Sequence, residues 1–413
     1  MQKGLLGKKL THSFSKQIHE NLMDYEYNLI ELEEKDLDKF FKEKNFDAIN
    51  VTVPYKQKVM KYVDHIDEKC KIINATNTIV NKNGELFCYN TDYYGFEYML
   101  VKNNVDLKNK KVCILGNGGA AQAIKAVVND YDIDELIICK SRESNETITY
   151  ETLYKDHKDI EILINTSYIG MYPNNYQELI NLDYFNNLKW VIDIIYNPLN
   201  TKLLVNAKKR NIKTINGLEM LVGQAVYAME YFMDLSLDKK IIDDYYQKIL
   251  REKQNIVLIG MPSCGKSTIS KLLEKRLNKA SIDVDNYIEK EINMSIKEYF
   301  DLFNEEKFRE LETKTIKEVS KLNGKIISTG GGVVLNSENI DALKQNGLII
   351  YIKRDINKLL VTEDRPLSKD LNAIKTIYDS RYKLYENYSD IIVNNNDEIE
   401  IVVSEILKKI EEK

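Results

Sequence analysis

The chain has 413 residues, 43% of them hydrophobic and 30% charged, with a formal net charge of −5. At about 100–200 residues per domain, this length holds two to four domains with full-sized cores. Acidic and basic side chains are interspersed, which excludes a broad basic surface for nucleic acid. No run approaches the roughly 18 apolar residues of a membrane span, and Met1–Gly7 lacks the apolar core expected of a signal peptide. Cys70, Cys88, Cys113, Cys139 and Cys264 form an odd set without paired spacing, which reads as reduced thiols in a cytoplasm. The four histidines are scattered, so no His/Cys metal cage is expected.

Short apolar runs alternate with helical patterns throughout, as in βα units and parallel sheets. In chain order, four polar clusters come first. His12-Ser13-Phe14-Ser15 sets two hydroxyls on alternate positions, suited to holding a carboxylate. Asn50-Val51-Thr52-Val53-Pro54-Tyr55-Lys56 ends a strand with a polar residue, a rigid turn and a lysine. Asn74-Ala75-Thr76-Asn77-Thr78 and Tyr89-Asn90-Thr91-Asp92 add amides, hydroxyls and a carboxylate. A polyhydroxy acid needs many neutral hydrogen-bond partners and one proton-transfer group, and these clusters supply both.

Lys111–Leu115 reads as a buried strand, followed by the turn Gly116-Asn117-Gly118-Gly119-Ala120 and a helix over Ala120–Val128. Glycines between strand and helix let a pyrophosphate approach backbone N–H groups and the positive helix end, although such a turn alone also occurs as plain structure. The next strand, Leu136–Cys139, runs into Lys140-Ser141-Arg142, where an NAD enzyme would offer an acidic group to the ribose. Basic side chains there suit the 2′-phosphate of NADP, or form a solvated basic loop. Further strands are predicted at Ile162–Ile164 and Trp190–Asp193, and helices over Leu218–Phe232 and Asp238–Lys253.

A second unit is expected to begin near Glu252. Its first strand, Asn255–Ile259, leads into Gly260-Met261-Pro262-Ser263-Cys264-Gly265-Lys266-Ser267. Gly-x-x-x-x-Gly-Lys-Ser between strand and helix is a specific phosphate-loop signature. The backbone around Ser263, Cys264, Gly265 and Thr268 cradles phosphates, Lys266 reaches the β and γ oxygens, and the Ser267 hydroxyl takes Mg²⁺. Cys264 is either a small filler or a thiol activated by the helix end. Ile282-Asp283-Val284-Asp285 reads as a strand end with both carboxylates on one face. Arg309 and Glu312 fall one helical turn apart. Ser328-Thr329-Gly330-Gly331-Gly332 follows the predicted strand Lys325–Ile327, and Arg365 and Arg381 add positive charge.

On these motifs the first half resembles shikimate dehydrogenase over essentially its whole length, from Ser13 to the segment 216–225. The resemblance implies that Ser13 and Ser15 hold the substrate carboxylate, with Thr52, Asn77, Asp92, Tyr196 and Gln224 around the ring. Lys56 and Asp92 match the catalytic pair. The pyrophosphate falls on Gly116, Asn117, Gly118, Gly119 and Ala120, and the 2′-phosphate on Lys140, Ser141 and Arg142. Asn165-Thr166-Ser167 and Gly170-Met171 match the cofactor-side loop, and Gly217 the nicotinamide neighbourhood. Lys16 and Glu20 stand where the family usually has proline and asparagine. Cys139-Lys140-Ser141 replaces a usual Asn-Arg-Thr, which leaves NADP against NAD open because lysine is a poorer fork for phosphate.

From Asn255 onward the chain resembles shikimate kinase. By that resemblance Lys266 serves catalysis, Asp283 supports the Mg²⁺ shell and Asp285 orients or deprotonates the acceptor hydroxyl. Arg309 and Arg381 clamp the substrate carboxylate, Gly331 lies beneath the ring, and Arg365 closes on the phosphates. Asn304 and Lys383 replace a usual glycine and proline.

The expected fold is α/β throughout. A substrate-binding α/β domain (1–100, completed by the helical segment 217–250) precedes a Rossmann-type dinucleotide domain (101–216). A P-loop kinase domain with a parallel sheet follows (253–413). The expected function is reduction of 3-dehydroshikimate to shikimate with NADPH, then phosphorylation by ATP with Mg²⁺ to shikimate 3-phosphate. Such an enzyme is cytoplasmic, has no nucleic-acid or membrane partner, and is compatible with a homodimer. Two alternatives stand beside it: a first half that uses NAD and quinate, or one half that is a catalytically inactive regulatory module.

Overall fold

The computed structural model describes residues 2–10, 14–359 and 371–413. The chain divides into two compact units, 1–248 and 249–413. The division falls inside the helix Lys240–Lys253.

In the first unit, β1 (Lys3–Gly7), β2 (Tyr27–Glu31), β3 (Ala48–Val51), β4 (His65–Ile66), β5 (Thr78–Lys82) and β6 (Glu85–Tyr89) form one sheet, in the order β2-β1-β3-β5-β6-β4. β1 runs parallel to β2 and β3, whereas β5 runs antiparallel to β3 and β6. The β5–β6 reversal is local chemistry: Asn83 and Gly84 both take positive φ, 56° and 94°, as a tight Asn-Gly hairpin requires. This hairpin sets Thr78 opposite Tyr89. The clusters 74–78 and 89–92, which lie on separate elements, thereby meet at one sheet end.

The second sheet of this unit contains β7 (Lys111–Leu115), β8 (Glu135–Cys139), β9 (Ile162–Asn165), β10 (Trp190–Asp193) and β11 (Lys213–Asn216), all parallel, in the order β11-β10-β9-β7-β8. The strands are near-continuous Val, Ile and Leu because both faces are covered. Val112 and Ile114 pack on one side with Ile124 and Val127, and Cys113 and Leu115 on the other with Leu163 and Leu204. The chain leaves β7 towards β8 on one flank and β9 on the other. That divergence opens a crevice at the carboxyl end of β7, where open α/β sheets bind ligands. The helices Thr91–Lys102 and Leu218–Met233 cross at Gly95, where a Cβ would stand 2.7 Å from the Gln224 backbone nitrogen.

The second unit is built on β12 (Asn255–Ile259), β13 (Ser281–Asp283), β14 (Ile326–Ser328), β15 (Gly347–Lys353) and β16 (Ile391–Asn394). These form an all-parallel sheet in the order β13-β14-β12-β15-β16. One predicted element is corrected. Asp285 is not on a strand: β13 stops at Asp283, whose carboxylate caps the helix Val284–Ile292 by accepting from Asn286 N. Capping starts the helix at Val284, so Asp285 lies in its first turn and the alternate-face argument does not apply. Among the described residues no helix is long and apolar enough to cross a membrane.

Candidate active sites

In the first unit the site begins with an ion pair. Lys56 Nζ lies 2.5 Å from Asp92 Oδ2, with both side chains mostly buried (16% and 11% exposed). Asp92 is at the start of the helix Thr91–Lys102. Its other oxygen, Oδ1, accepts from Asn77 Nδ2 at 2.9 Å. The orientation of Asn77 is set by a donor of fixed polarity: Thr91 N donates to Asn77 Oδ1 at 2.7 Å, so the amide nitrogen faces the carboxylate. Behind it, Tyr27 OH donates to Asn50 Oδ1, and Asn50 Nδ2 donates to Asn77 O and Thr78 Oγ1. Thr78 Oγ1 in turn donates to Asn77 Oδ1 at 3.1 Å. Asn50, Thr78 and Thr91 belong to the polar clusters read from the sequence without a role of their own there, and Tyr27 lies outside those clusters. For Tyr27, Asn50 and Thr78 the available signal is a polar side chain on a strand, and for Thr91 a hydroxyl at a helix start.

The other residues expected on the substrate side come from four segments. Thr52 follows β3 and is tied to β1 through Thr52 N and Leu6 O, 2.9 Å apart. Tyr196 packs edge-on against Phe14, with ring centroids 5.6 Å apart, which brings it to the residue next to Ser15. Gln224 is half-buried on the helix Leu218–Met233 and donates to Leu221 O. Ser13 lies outside the described residues.

The glycine turn meets this cluster. A Cβ on Gly119 would stand 4.0 Å from Lys56 Cδ, whereas one on Gly118 would meet nothing within 4 Å. Gly116 takes φ 105°, and a Cβ there would stand 2.8 Å from Thr166 Oγ1. Ala120 is in the first turn of the helix Gly119–Asn129, and Asn117 Oδ1 accepts from Gln122 Nε2. A cradle open at Gly118, beside a helix N-terminus and a lysine, fits a dinucleotide. β7 and β8 pair Leu115 with Cys139, and Gly116 N donates to Cys139 O at 2.8 Å. Lys140, Ser141 and Arg142 therefore emerge beside the turn, with Ser141 and Arg142 exposed. Gly217 is required sterically, since a Cβ there would stand 1.8 Å from Ile194 O.

One buried carboxylate links the loops on either side. Asp193, at the end of β10, accepts from Asn165 Nδ2 (3.0 Å), Ile195 N (3.0 Å) and Thr201 Oγ1 (2.6 Å). Asn165 Oδ1 accepts from both N and Oγ of Ser167. The cofactor-side loop and the segment carrying Tyr196 thus share one anchor. Sequence reasoning passed over Asp193 because it reads as the last residue of a strand.

In the second unit, Ser263 (φ 62°) and Gly265 (φ 99°) put two residues of the loop 260–265 in the left-handed region, a backbone form from which anion-binding nests are built. Lys266 Nζ donates to Gly260 O and Met261 O at 2.9 and 3.0 Å, within that loop. Ser267 and Thr268 are exposed at the start of the helix Lys266–Leu277. Cys264 is fully buried, its N donates to Met261 O, and a Cβ on Gly260 would stand 2.9 Å from its Sγ. The filler reading fits this packing. Ser267 Oγ donates to Asp283 Oδ2 at 2.7 Å, so the hydroxyl and carboxylate assigned to a cation meet.

The triplet 330–332 draws the other groups together. A Cβ on Gly330 would stand 2.7 Å from Asp285 Oδ1 and 3.0 Å from Glu312 Oε1; one on Gly331, 2.8 Å from Pro262 Cδ; one on Gly332, 2.1 Å from Arg309 Nη1. Arg309 is ion-paired to Glu312 (2.8 Å) and Glu305 (3.0 Å). Burial raises the Glu312 carboxyl pKa against the pull of Arg309. Arg381 Nη1 and Tyr385 OH both donate to Gly331 O, at 3.0 and 2.6 Å. Tyr385 is a further residue that sequence reasoning did not single out. Asn304 takes φ 77° and caps the helix Glu305–Val319, which explains why glycine is an alternative there. Arg365 lies outside the described residues.

These features define a dinucleotide-binding unit with a buried polar cluster beside its glycine turn, followed by a phosphate-loop transferase unit. Comparison with known proteins supplies the particular family. A family profile for the shikimate dehydrogenase substrate-binding domain matches residues 5–79, and one for shikimate kinase matches 262–411. Shikimate dehydrogenase (NADP(+)) of Clostridium beijerinckii is 39% identical over 259 residues, covering 59% of this chain and 96% of the relative. The crystal structure of shikimate dehydrogenase 1 from Peptoclostridium difficile is 37% identical with a TM-score of 0.55, covering 60% of this chain and 98% of that one. A chorismate mutase/shikimate 5-dehydrogenase fusion from Clostridium acetobutylicum is 32% identical with a TM-score of 0.57, covering 60% and 96%. The chain belongs to the shikimate dehydrogenase family and carries a shikimate kinase domain after it, a bifunctional enzyme of the shikimate pathway.

Asp193 generates a prediction. Burial raises its pKa to about 6, well above the usual aspartate range of about 4. The folded state therefore holds an extra proton between about pH 4 and 6, and the stability linked to this group falls as the pH rises through that window. Asp193→Asn has no such titration. Urea unfolding of the first half should show the variant gaining on the native chain by up to about 3 kcal/mol between pH 4 and pH 7. A difference that stays flat across the window would refute the burial argument.

Proposed function

We propose that the first half reduces 3-dehydroshikimate to shikimate with NADPH, and that the second half phosphorylates shikimate to shikimate 3-phosphate with ATP. The observation that carries the first assignment is the mostly buried Lys56–Asp92 pair, placed beside the glycine turn. NADPH, held along 116–120 with its 2′-phosphate on Lys140, Ser141 and Arg142, would supply the hydride. Lys56 donates a proton to the substrate carbonyl oxygen as it becomes an alcohol. Asp92 keeps that ammonium in place and accepts from a ring hydroxyl, while Asn77 holds Asp92. Ser13 and Ser15 bind the carboxylate; Thr52, Tyr196 and Gln224 line the ring.

In the second half, Lys266 and the loop N–H groups hold the triphosphate. Ser267 and Asp283 would hold Mg²⁺, which would neutralise charge on the β and γ phosphates. One hydroxyl and one carboxylate suit a hard cation that keeps most of its water. Asp285 orients the acceptor hydroxyl and takes its proton. Arg309 and Arg381 grip the substrate carboxylate, with Gly331 beneath the ring. NADPH and ATP are both cytoplasmic, as are reduced thiols, so we place the enzyme there.

Three measurements test these roles. Lys56→Ala should lower reductase turnover by about 10²–10⁴ while kinase turnover is unchanged; a variant that keeps more than about a tenth of its reductase rate would remove Lys56 from proton transfer. Replacing Lys140 and Arg142 together by Gln should raise the KM for NADPH and leave that for NADH nearly unchanged. Equal effects on both cofactors would show that this loop does not read the 2′-phosphate. Arg309→Lys keeps a cation beside buried Glu312 but loses the fork. It should weaken shikimate use about tenfold or more, since charged hydrogen bonds are worth roughly 1.5–3 kcal/mol. ATP titrated alone should bind the variant as it binds the native chain, and a large loss there would assign Arg309 to the nucleotide instead.

A further inference from the structure

Arg354 has no role in the scheme above, and its surroundings point to one. It is the residue after β15, whose Ile259↔Tyr351 register runs beside β12 and hence beside the phosphate loop. The loop is bracketed by the ends of two strands. A Cβ on Gly260 would stand 2.6 Å from Ile352 O, and Asn395, just past β16, donates from Nδ2 to Cys264 O at 2.7 Å and from N to Lys353 O at 2.7 Å. Arg354 projects into that bracket: its Nη1 is 3.9 Å from where a Cβ on Gly265 would stand.

The cations next along the chain are matched. Lys353 pairs with Glu386 at 3.0 Å, and Lys358 Nζ donates to Asn396 O at 2.9 Å. Arg354 has no hydrogen bond or ion pair among the described residues, and its Nε is buried without a partner. A partly buried guanidinium left without an acceptor is costly unless a ligand supplies one. Its place beside the phosphate loop and the helix N-terminus that follows selects an anion, and its planar fork suits phosphate oxygens.

We propose that Arg354 is a phosphate-contacting residue of the nucleotide site, reaching the bound polyphosphate from the β15 side. This rests on reading the loop 260–267 as a triphosphate site. The test is calorimetric titration of the full-length native chain, Arg354→Ala, Arg354→Lys and Lys266→Ala with Mg²⁺–ATP and with inorganic tripolyphosphate. Arg354→Ala should lose about ten- to a hundredfold in affinity for both probes, the loss expected for charged hydrogen bonds. Arg354→Lys should recover part of it, and the KM for shikimate at saturating ATP should not move. Native affinity of Arg354→Ala for both probes overturns the proposal. Loss for ATP with unchanged tripolyphosphate binding overturns it too, because the guanidinium would then serve the nucleoside. Undiminished ATP binding by Lys266→Ala would instead defeat the triphosphate-site reading itself. If the alanine variant does not fold, Arg354→Gln, which keeps the length and polarity of the stem, carries the same comparison.

Discussion

Exclusion of a single atom, a β-carbon, organises both halves of this protein. In the second unit the triplet 330–332 is the surface on which Asp285, Pro262 and Arg309 converge, at 2.1–2.8 Å from where side chains would otherwise begin. Any larger residue would have to displace a carboxylate, the phosphate loop or a guanidinium. In the first unit Gly217 allows the Ile194 carbonyl into the same space, and Gly95 allows the helix Leu218–Met233 to close on Thr91–Lys102. Asp92 and Gln224 ride on those two helices. Their separation, and with it the width of the pocket, depends on that contact.

Around these contacts the polar groups are held by one another rather than by solvent. The chain Tyr27–Asn50–Thr78–Asn77–Asp92 is buried, and each acceptor in it meets a donor. Inside a low-dielectric interior such a network is stiff when complete and costly when broken. Asp193 extends the same logic to the loops on the cofactor side. The kinase half relies more on full charges: the Arg309 guanidinium is compensated by Glu305 and Glu312, while the Asp283 carboxylate accepts from the neutral Ser267 hydroxyl.

On the functional reading, the two halves recognise one carboxylated polyol by different means. The reductase offers hydroxyls to the carboxylate and a single ammonium to the reacting oxygen. A second unscreened cation there would compete with Lys56 for Asp92. The kinase must bring the anion to a triphosphate, so guanidinium groups offset the repulsion between the two. That difference follows from the charge of each co-substrate's reacting end.

Local signals in the sequence were decisive wherever a function needs contiguous residues. The strand Asn255–Ile259, the loop Gly260–Ser267 and the helix after it are one covalent run, and they fold as read. So do Trp190–Asp193 and the strand–turn–helix at 111–129. The resemblance of the whole chain then supplied candidates such as Tyr196 and Arg381 that no local pattern marks. Tertiary structure alone decided the rest. Outside the β5–β6 hairpin, the mixed sheet β1–β6 joins strands by pairings distant in sequence, and Asp285 lies on a helix because the cap on Asp283 outweighs strand alternation. Tyr385, Asp193 and Arg354 are single polar residues in or just after ordinary helices and strands, and only the partners that the fold brings to each, or among the described residues withholds from Arg354, set them apart. A hydrogen-bond partner far away in the chain leaves no period in the sequence, and a missing one leaves none either.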